Sequence, residues 1–599
     1  MSKRLHHFYE FGPFRLDLNE YLLLQDDEPV PLPPKVFETL MILVERSGRV
    51  VSKEEMIETL WPDRYVEESN LTQNIFMLRK ALGEGQKSQY IETVPKRGYR
   101  FVAPVKEIIE ESEDRAAERP VAAREAGPEE KAAARREEAV TTLAVLPMVN
   151  ESGDPELEYL ADGITESIIN SLSRLRQVHI IARSVAFSYK GRDADALMVG
   201  RELMADAVLV SRVLVQGGVF IIQAEMVEAA TGWQVWGGRY NLPPSDIQMA
   251  QDVVSARITE GLRLRLTEEE RRRLGKHYTV NPEAYQFYLK ARYYWNRRSV
   301  EGYQKAIEYF QEATRLDPGY ALAYSGLADT YVAFDFYGIL PPWETSPKAK
   351  TAAINALLID DTLAEAHTSL ACVKMMYERD WSNAEREFRR AIEVDPNYAH
   401  AHNWHSHFLM AMGRIEESLA ESRLALKLDP LNDSINQYLG WHYIHARQFA
   451  RAISQLEKCL ELNPDFFLAR VTLGMAYEQN GEFVKAVEEF EKARLIYDSP
   501  LLLGFLGHAY AMKGEREAAV EALRELEQAS ARTYIPPYCI ALIYTALGEK
   551  QHAFEWFEKA YAAQNEWLNW IKVAPEVDSL RSEPQFGSLL RRLNLVDDQ

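Results

Sequence analysis

Cysteine is scarce in this chain: three in 599 residues, at Cys372, Cys459 and Cys539, far apart and never as CxxC. That usage excludes a disulfide framework and a cysteine-based metal site, and it fits a reducing cytoplasm. Uninterrupted apolar runs near 18 residues are absent, so no membrane span is expected. The opening "MSKRLHHFYEFGPF" has no apolar core of the kind an export signal carries. The signatures GxxxxGK, GxGxxG, HExxH and GxSxG are missing as well, so neither an enzyme nor a bound cofactor is expected. Positive charge is in deficit: 69 Lys and Arg against 90 Asp and Glu give a formal −21, which as an average argues against nucleic acid.

The average hides a local reversal. Residues 1–106 are near neutral, with 15 cations and 16 anions. From Ser69 to Lys106 there are seven cations (Arg79, Lys80, Lys87, Lys96, Arg97, Arg100, Lys106) against Glu84 and Glu92, a local +5 that suits a phosphate backbone. Within it, "IETVPKRGYRF" alternates on both sides of Gly98 and reads as a hairpin, with Gly98 supplying the positive φ of its tip.

What precedes the hairpin gives it a role. Residues 8–31 read as a small antiparallel sheet. Pro34 opens a helix that ends at Gly48, Ser52 with Glu55 forms a capping box for a second helix stopped by Pro62, and a third runs from about Glu68 to Leu82. On this third helix Leu71, Ile75, Leu78 and Leu82 share one face and pack inward. Ser69, Asn70, Gln73, Asn74 and Met77 are read as the opposite face. Asn and Gln are the side chains that pair bidentately with adenine in the major groove. Arg79 and Lys80 are placed for phosphates. Lys96, Arg97 and Tyr99 belong to the hairpin, a wing whose Arg97 would enter the adjacent minor groove.

These stretches carry a family resemblance. "PLPPKVFETLMILVERSGRVVSKEEMIETLWP", "VEESNLTQNIFMLRKALG" and "YIETVPKRGYRFV" resemble the OmpR/PhoB-type winged-helix effector domain. The resemblance implies reading positions at Ser69, Asn70, Gln73, Asn74 and Met77, and a minor-groove position at Arg97. Ser69 stands where an arginine is common in that family. The family usually carries a phosphoacceptor receiver upstream, which this chain lacks, so the input is expected from the carboxyl side.

Three further segments follow. Residues 107–140, rich in charge and alanine, read as a tether. Residues 141–265 regain strands and helices, and "LAVLPM", "YLADGITESIINSLSRL" and "QVWGGRYN" resemble the TolB-amino-terminal-like domain of bacterial regulators. Asp162-Gly163 there reads as a turn and helix cap. Residues 282–598 repeat every 34: Asp395-Pro396, Asp429-Pro430, Asn463-Pro464; Gly440 and Gly474; Tyr443 and Tyr477. That period is the tetratricopeptide signature of a helical solenoid, about seven or eight repeats with a cap after Ala574. "YAHAHNWHSHF" holds four histidines, but His400 and His407 are about 10 Å apart along a helix, too far for one ion. They are read as core and groove residues, and no metal is expected. In register, His400, Asn403, His407, Gln437, Trp441, His445 and Met475 line the concave groove, where an extended peptide or partner helix would dock.

The expected fold is therefore multidomain: a winged helix (α+β) over 1–106, a linker over 107–140, a small α/β domain over 141–265 and an all-α tetratricopeptide solenoid over 282–598. The expected function is a one-component, cytoplasmic, sequence-specific regulator that binds double-stranded DNA, as a homodimer or in tandem, and a protein partner through the groove. The alternative is a repeat scaffold whose winged helix serves protein contacts.

Overall fold

The computed structural model describes residues 4–596 apart from 18–21, 26–27, 31, 33, 61–67, 84–89, 95–96, 113–141, 174, 176, 193–194, 244–245, 247, 262–277 and 336–339. Its contacts divide into two units: 1–144 with 193–209 and 226–235, and 145–192 with 210–225 and 236–599.

At the amino end, strands Glu28–Val30, Leu22–Gln25, Phe14–Asp17, Arg4–Phe11 and Lys106–Ser112 lie in that order in one sheet. Every described pair is antiparallel, with Phe11 opposite Phe14 and Tyr9 opposite Glu107. Lys106–Ser112 corrects the reading of 107 onward as linker: residues 107–112 pair with the first strand. The rest of that segment lies outside the described residues. Phe11 meets Phe101 edge-on at 5.0 Å and Phe14 meets Tyr90 at 5.5 Å, which fastens this sheet to the wing strands.

Helices Pro34–Glu45, Lys53–Leu60 and Glu68–Ala81 follow. Half of the expected capping box forms. Ser52 Oγ accepts the Glu55 N–H at 3.1 Å, while the Glu55 carboxylate turns to Arg46. A second sheet orders Val50–Ser52, Gly98–Phe101 and Ile91–Val94. Its first strand was not legible in the sequence. Gly98 has φ +143°, and a Cβ there would meet Val51 O at 1.9 Å, so the strand Val50–Ser52 lies where only glycine lets it.

The α/β segment forms one sheet in the order His179–Ile180, Thr142–Val145, Ala207–Gln216, Val219–Glu228, Gln234–Leu242, with Val149–Asn150 parallel to Ala207–Gln216. The strand His179–Ile180 is only two residues long before the chain enters helix Arg183–Phe187.

From Pro282 the described residues form eight helix pairs, Pro282–Trp295 with Val300–Leu316 through Pro537–Ala546 with Lys550–Ala562. The recurring glycines are close-approach points: a Cβ on Gly440 would meet Leu456 at 2.5 Å, and one on Gly474 would meet Phe490 at 2.7 Å. In seven of these eight pairs the chain turns left-handed two residues before the second helix. Gly413, Gly481, Gly514 and Gly548 hold that position in four repeats, but Arg298, Arg379 and Arg447 hold it in three others, at φ +53°, +49° and +60°. Each such arginine costs about 1–3 kcal/mol of backbone strain.

Candidate nucleic-acid interface and repeat region

The third helix packs as expected: Leu71, Ile75, Leu78 and Leu82 are at most 3% exposed. Asn74 does not face outward. It is buried, and its Nδ2 donates to Thr39 Oγ1 at 2.9 Å on the first helix. Arg79 is corrected as well. It is buried, and its Nη2 donates to Thr93 Oγ1 at 2.7 Å and to Ile91 O at 3.3 Å. It ties the helix to the wing rather than to a phosphate, and so fixes the angle between the two probes. Tyr99 is fully buried in the core, and Met77 packs half-buried against it. Lys80 and Arg97 are exposed. Lys96 and the side chains of Ser69, Asn70 and Gln73 lie outside the described residues. Arg100 is spent on Glu92, with Nε to Oε2 at 2.8 Å. Phe76, half-buried between Gln73 and Lys80 on the helical wheel, is a reading candidate the sequence analysis passed over.

Replacing Arg79 with alanine is expected to cost about 1.5–3 kcal/mol, since it removes charge-assisted hydrogen bonds to a buried carbonyl. Arg79→Lys should not rescue it, because one ammonium cannot span carbonyl and hydroxyl. Thermal denaturation of the winged-helix transition reads this directly.

In the second unit, Asp162 and Gly163 sit inside helix Glu158–Ser173, not at a cap. Asp162 Oδ2 accepts from Lys190 Nζ at 2.5 Å, and a Cβ on Gly163 would meet Leu289 at 2.8 Å, so this glycine seats the helix on the first repeat. Three residues on, Glu166 is buried. Arg292 Nε donates to it at 2.8 Å, Arg183 Nε at 2.9 Å and Asn296 Nδ2 at 2.6 Å. Burial alone would raise its pKa; Arg292 and Arg183 outweigh burial and hold it at about 2.

The residues expected to line the concave groove are covered. Asn403, His407, Gln437, Trp441, His445 and Met475 are each at most 4% exposed, and only His400 is half-buried. Part of the cover is the chain's own segment Glu566–Leu580. Trp570 donates its indole N–H to His407 O at 3.0 Å, and its ring lies 5.2 Å from that of Trp441. Arg379 Nε donates to Asn569 Oδ1 at 3.3 Å and Arg447 Nη2 to Asp578 Oδ1 at 2.7 Å, so two of the strained turns are used to hold this segment. The expectation of an open groove for a partner is therefore corrected at His407 and Trp441. The histidines separate: His402 pairs with Glu421 at 2.6 Å and His407 with His442 at 2.7 Å, while His405 stacks on Phe408.

Burial raises both Glu566 and Glu576 to about 7, with Arg379 near the first and Glu478, His508 and Arg447 near the second. Their folded pKa values exceed the unfolded ones, so the stability they contribute is present below about pH 4.5 and is lost as pH rises toward 7. The double variant Glu566→Gln, Glu576→Gln should therefore flatten the fall in thermal midpoint between pH 5 and pH 7.5.

Residues 27–101 match the family model "Transcriptional regulatory protein, C terminal", and residues 443–501 match a tetratricopeptide repeat model. The amino-terminal module is an OmpR/PhoB-type DNA-binding domain. It is followed by an α/β region and a tetratricopeptide solenoid, the architecture of a DNA-binding transcriptional regulator. A Rhizobium meliloti (strain 1021) protein named as adenylate cyclase 3 is 37% identical over 187 residues, 31% of this chain and 32% of its own. Transcriptional regulator HilA of Salmonella typhi is 23% identical over 526 residues, 86% of this chain and 82% of its own. Transcriptional activator CadC of Escherichia coli (strain K12) is 38% identical over 76 residues, 12% of this chain and 15% of its own. The chain thus spans about a third of the first relative, four-fifths of the second and less than a sixth of the third. No helix among the described residues is long and apolar enough to cross a membrane.

Proposed function

We propose that this chain is a cytoplasmic, sequence-specific transcriptional regulator, not an enzyme. The outward face of the helix Glu68–Ala81 reads the major groove of duplex DNA, with Ser69, Asn70 and Gln73 as base-reading candidates and Lys80 on phosphate. Arg97 enters the neighbouring minor groove, and the α/β region and repeats form the input half that answers a partner or effector. The observation that supports this best is the Arg79 tie, which holds a helix and a wing with exposed cations in one fixed relation. The names of the HilA and CadC relatives point the same way.

Mobility-shift titrations on a selected operator test it. Arg97→Ala should weaken binding by about 1–3 kcal/mol. Lys80→Ala should lower affinity evenly across sequences and reduce the salt slope by about one. If neither variant changes DNA binding while partner capture is lost, the scaffold reading replaces this one.

A further inference from the structure

The segment Glu566–Leu580 lies outside the helix pairs and folds as two short 3₁₀ turns, Glu566–Trp570 and Pro575–Leu580. It packs on the face of the first helices that carries His407 and Trp441. Three of its side chains reach main-chain oxygen there. Asn569 Nδ2 donates to Met376 O, Trp570 Nε1 to His407 O and Lys572 Nζ to Met412 O, each at 3.0 Å. Every repeat offers such carbonyls, so these bonds hold the segment without using the side chains that distinguish this face.

Those side chains are left over. Asn403 Nδ2 and Oδ1, His407 Nε2, Gln437 Oε1 and Trp441 Nε1 are buried and have no hydrogen-bond partner among the described residues. They occupy two register positions in neighbouring repeats: Asn403 and Gln437 are 34 apart, as are His407 and Trp441, and each pair within a helix is one turn apart. Buried polar groups are as a rule hydrogen-bonded, so a periodic row of exceptions marks a poorly matched contact. The segment is mismatched from its own side too: Glu576 Oε1 is buried with no partner, although Glu478, His508 and Arg447 are its charged neighbours.

We propose that Glu566–Leu580 is a displaceable resident on this face, and that the face binds a segment of a different protein. That segment presents an aromatic side chain beside an amide, as Asn569 and Trp570 do, and adds polar side chains that bond Asn403, His407, Gln437 and Trp441. A second copy of this chain would bring the same segment and leave the same atoms unmet, so it would gain nothing over the contact already made. The resident lowers the apparent affinity for any competitor by the fraction of molecules it occupies, so the face answers only a better-matched partner. This goes beyond the regulator reading, and its test is read without DNA, so either can fail alone.

The probe is a labelled synthetic peptide with the sequence Glu566–Leu580, titrated by fluorescence anisotropy into the full-length protein. Trp570→Ala, and separately Asn569→Ala with Lys572→Ala, loosen the resident and leave the repeats' own residues in place. Each variant should bind the peptide saturably, and wild type at least tenfold more weakly, because its own segment competes. A peptide with alanine at the Trp570 position should not bind. In a scan that places Asn, Gln or Ser at every position except those of Asn569, Trp570 and Lys572, at least one peptide should bind about tenfold more tightly than the parent, a difference of about 1.4 kcal/mol. Circular dichroism checks the fold of each variant, and if one misfolds the other carries the test. Misfolding of both would make the segment part of the fold rather than a resident, and would overturn the proposal. So would no saturable binding to a folded variant, a wild type that binds as well as the loosened variants, or a parent peptide that no member of the scan exceeds.

Discussion

Glu166→Ala is expected to destabilise the second unit by about 3–5 kcal/mol, because it leaves the guanidiniums of Arg292 and Arg183 facing a buried hole. The carboxylate is at most 5% exposed and takes hydrogen bonds from three side chains, so water cannot replace it cheaply. Glu166→Gln should fail nearly as badly, since an amide cannot accept from all three donors. The pH dependence has a definite sign. The folded pKa of about 2 lies below that of an unfolded glutamate, so the contribution is full above about pH 4.5 and is lost as pH falls toward 2. Denaturant titration at pH 7 and pH 3 should show a large gap between wild type and Glu166→Ala at the first and a smaller one at the second. An equal gap at both would mean that packing, not charge, holds the joint.

Trp570→Ala is expected to cost about 3–5 kcal/mol as well, the range for deleting a large buried aromatic. The side chain is 1% exposed, contacts His407 and Trp441, and donates to a carbonyl 163 residues away. Its loss also removes the anchor that keeps Asn569 beside Arg379 and Asp578 beside Arg447. Hydrogen exchange should accelerate in helices Ala399–Ala411 and Asp433–His445, while the amino-terminal module is unaffected. The two costs should add in a double variant, because Glu166 is held by Arg183, Arg292 and Asn296 whereas Trp570 packs on His407 and Trp441.

The amino-acid order made the local architecture readable and left long-range packing out of reach. The inward stripe Leu71, Ile75, Leu78, Leu82 held, and the same stripe could have shown that Asn74 and Arg79 are not on the outer face. Asn74 is three residues past Leu71 and four before Leu78, and Arg79 is four past Ile75, so both flank the buried side. Their polarity drew them to the DNA face in the reading, whereas they serve internal ties. Asp162-Gly163 misled for a similar reason: a turn-like dipeptide is tolerated mid-helix when a neighbouring helix needs the space of a missing Cβ. The 34-residue register led to His407 and Trp441 as open groove positions, but periodicity says nothing about a segment outside the repeats folding back onto them. The arginines at left-handed turns were visible only as departures from a glycine position, and their meaning came from what their side chains touch.

The most direct measurement is selection of bound duplexes from a random pool by the purified full-length protein at physiological salt. Enrichment of a defined motif is expected, with Arg97→Ala relaxing it at positions beside the major-groove half-site. A pool that stays random after repeated rounds, with binding that follows total charge alone, would contradict it.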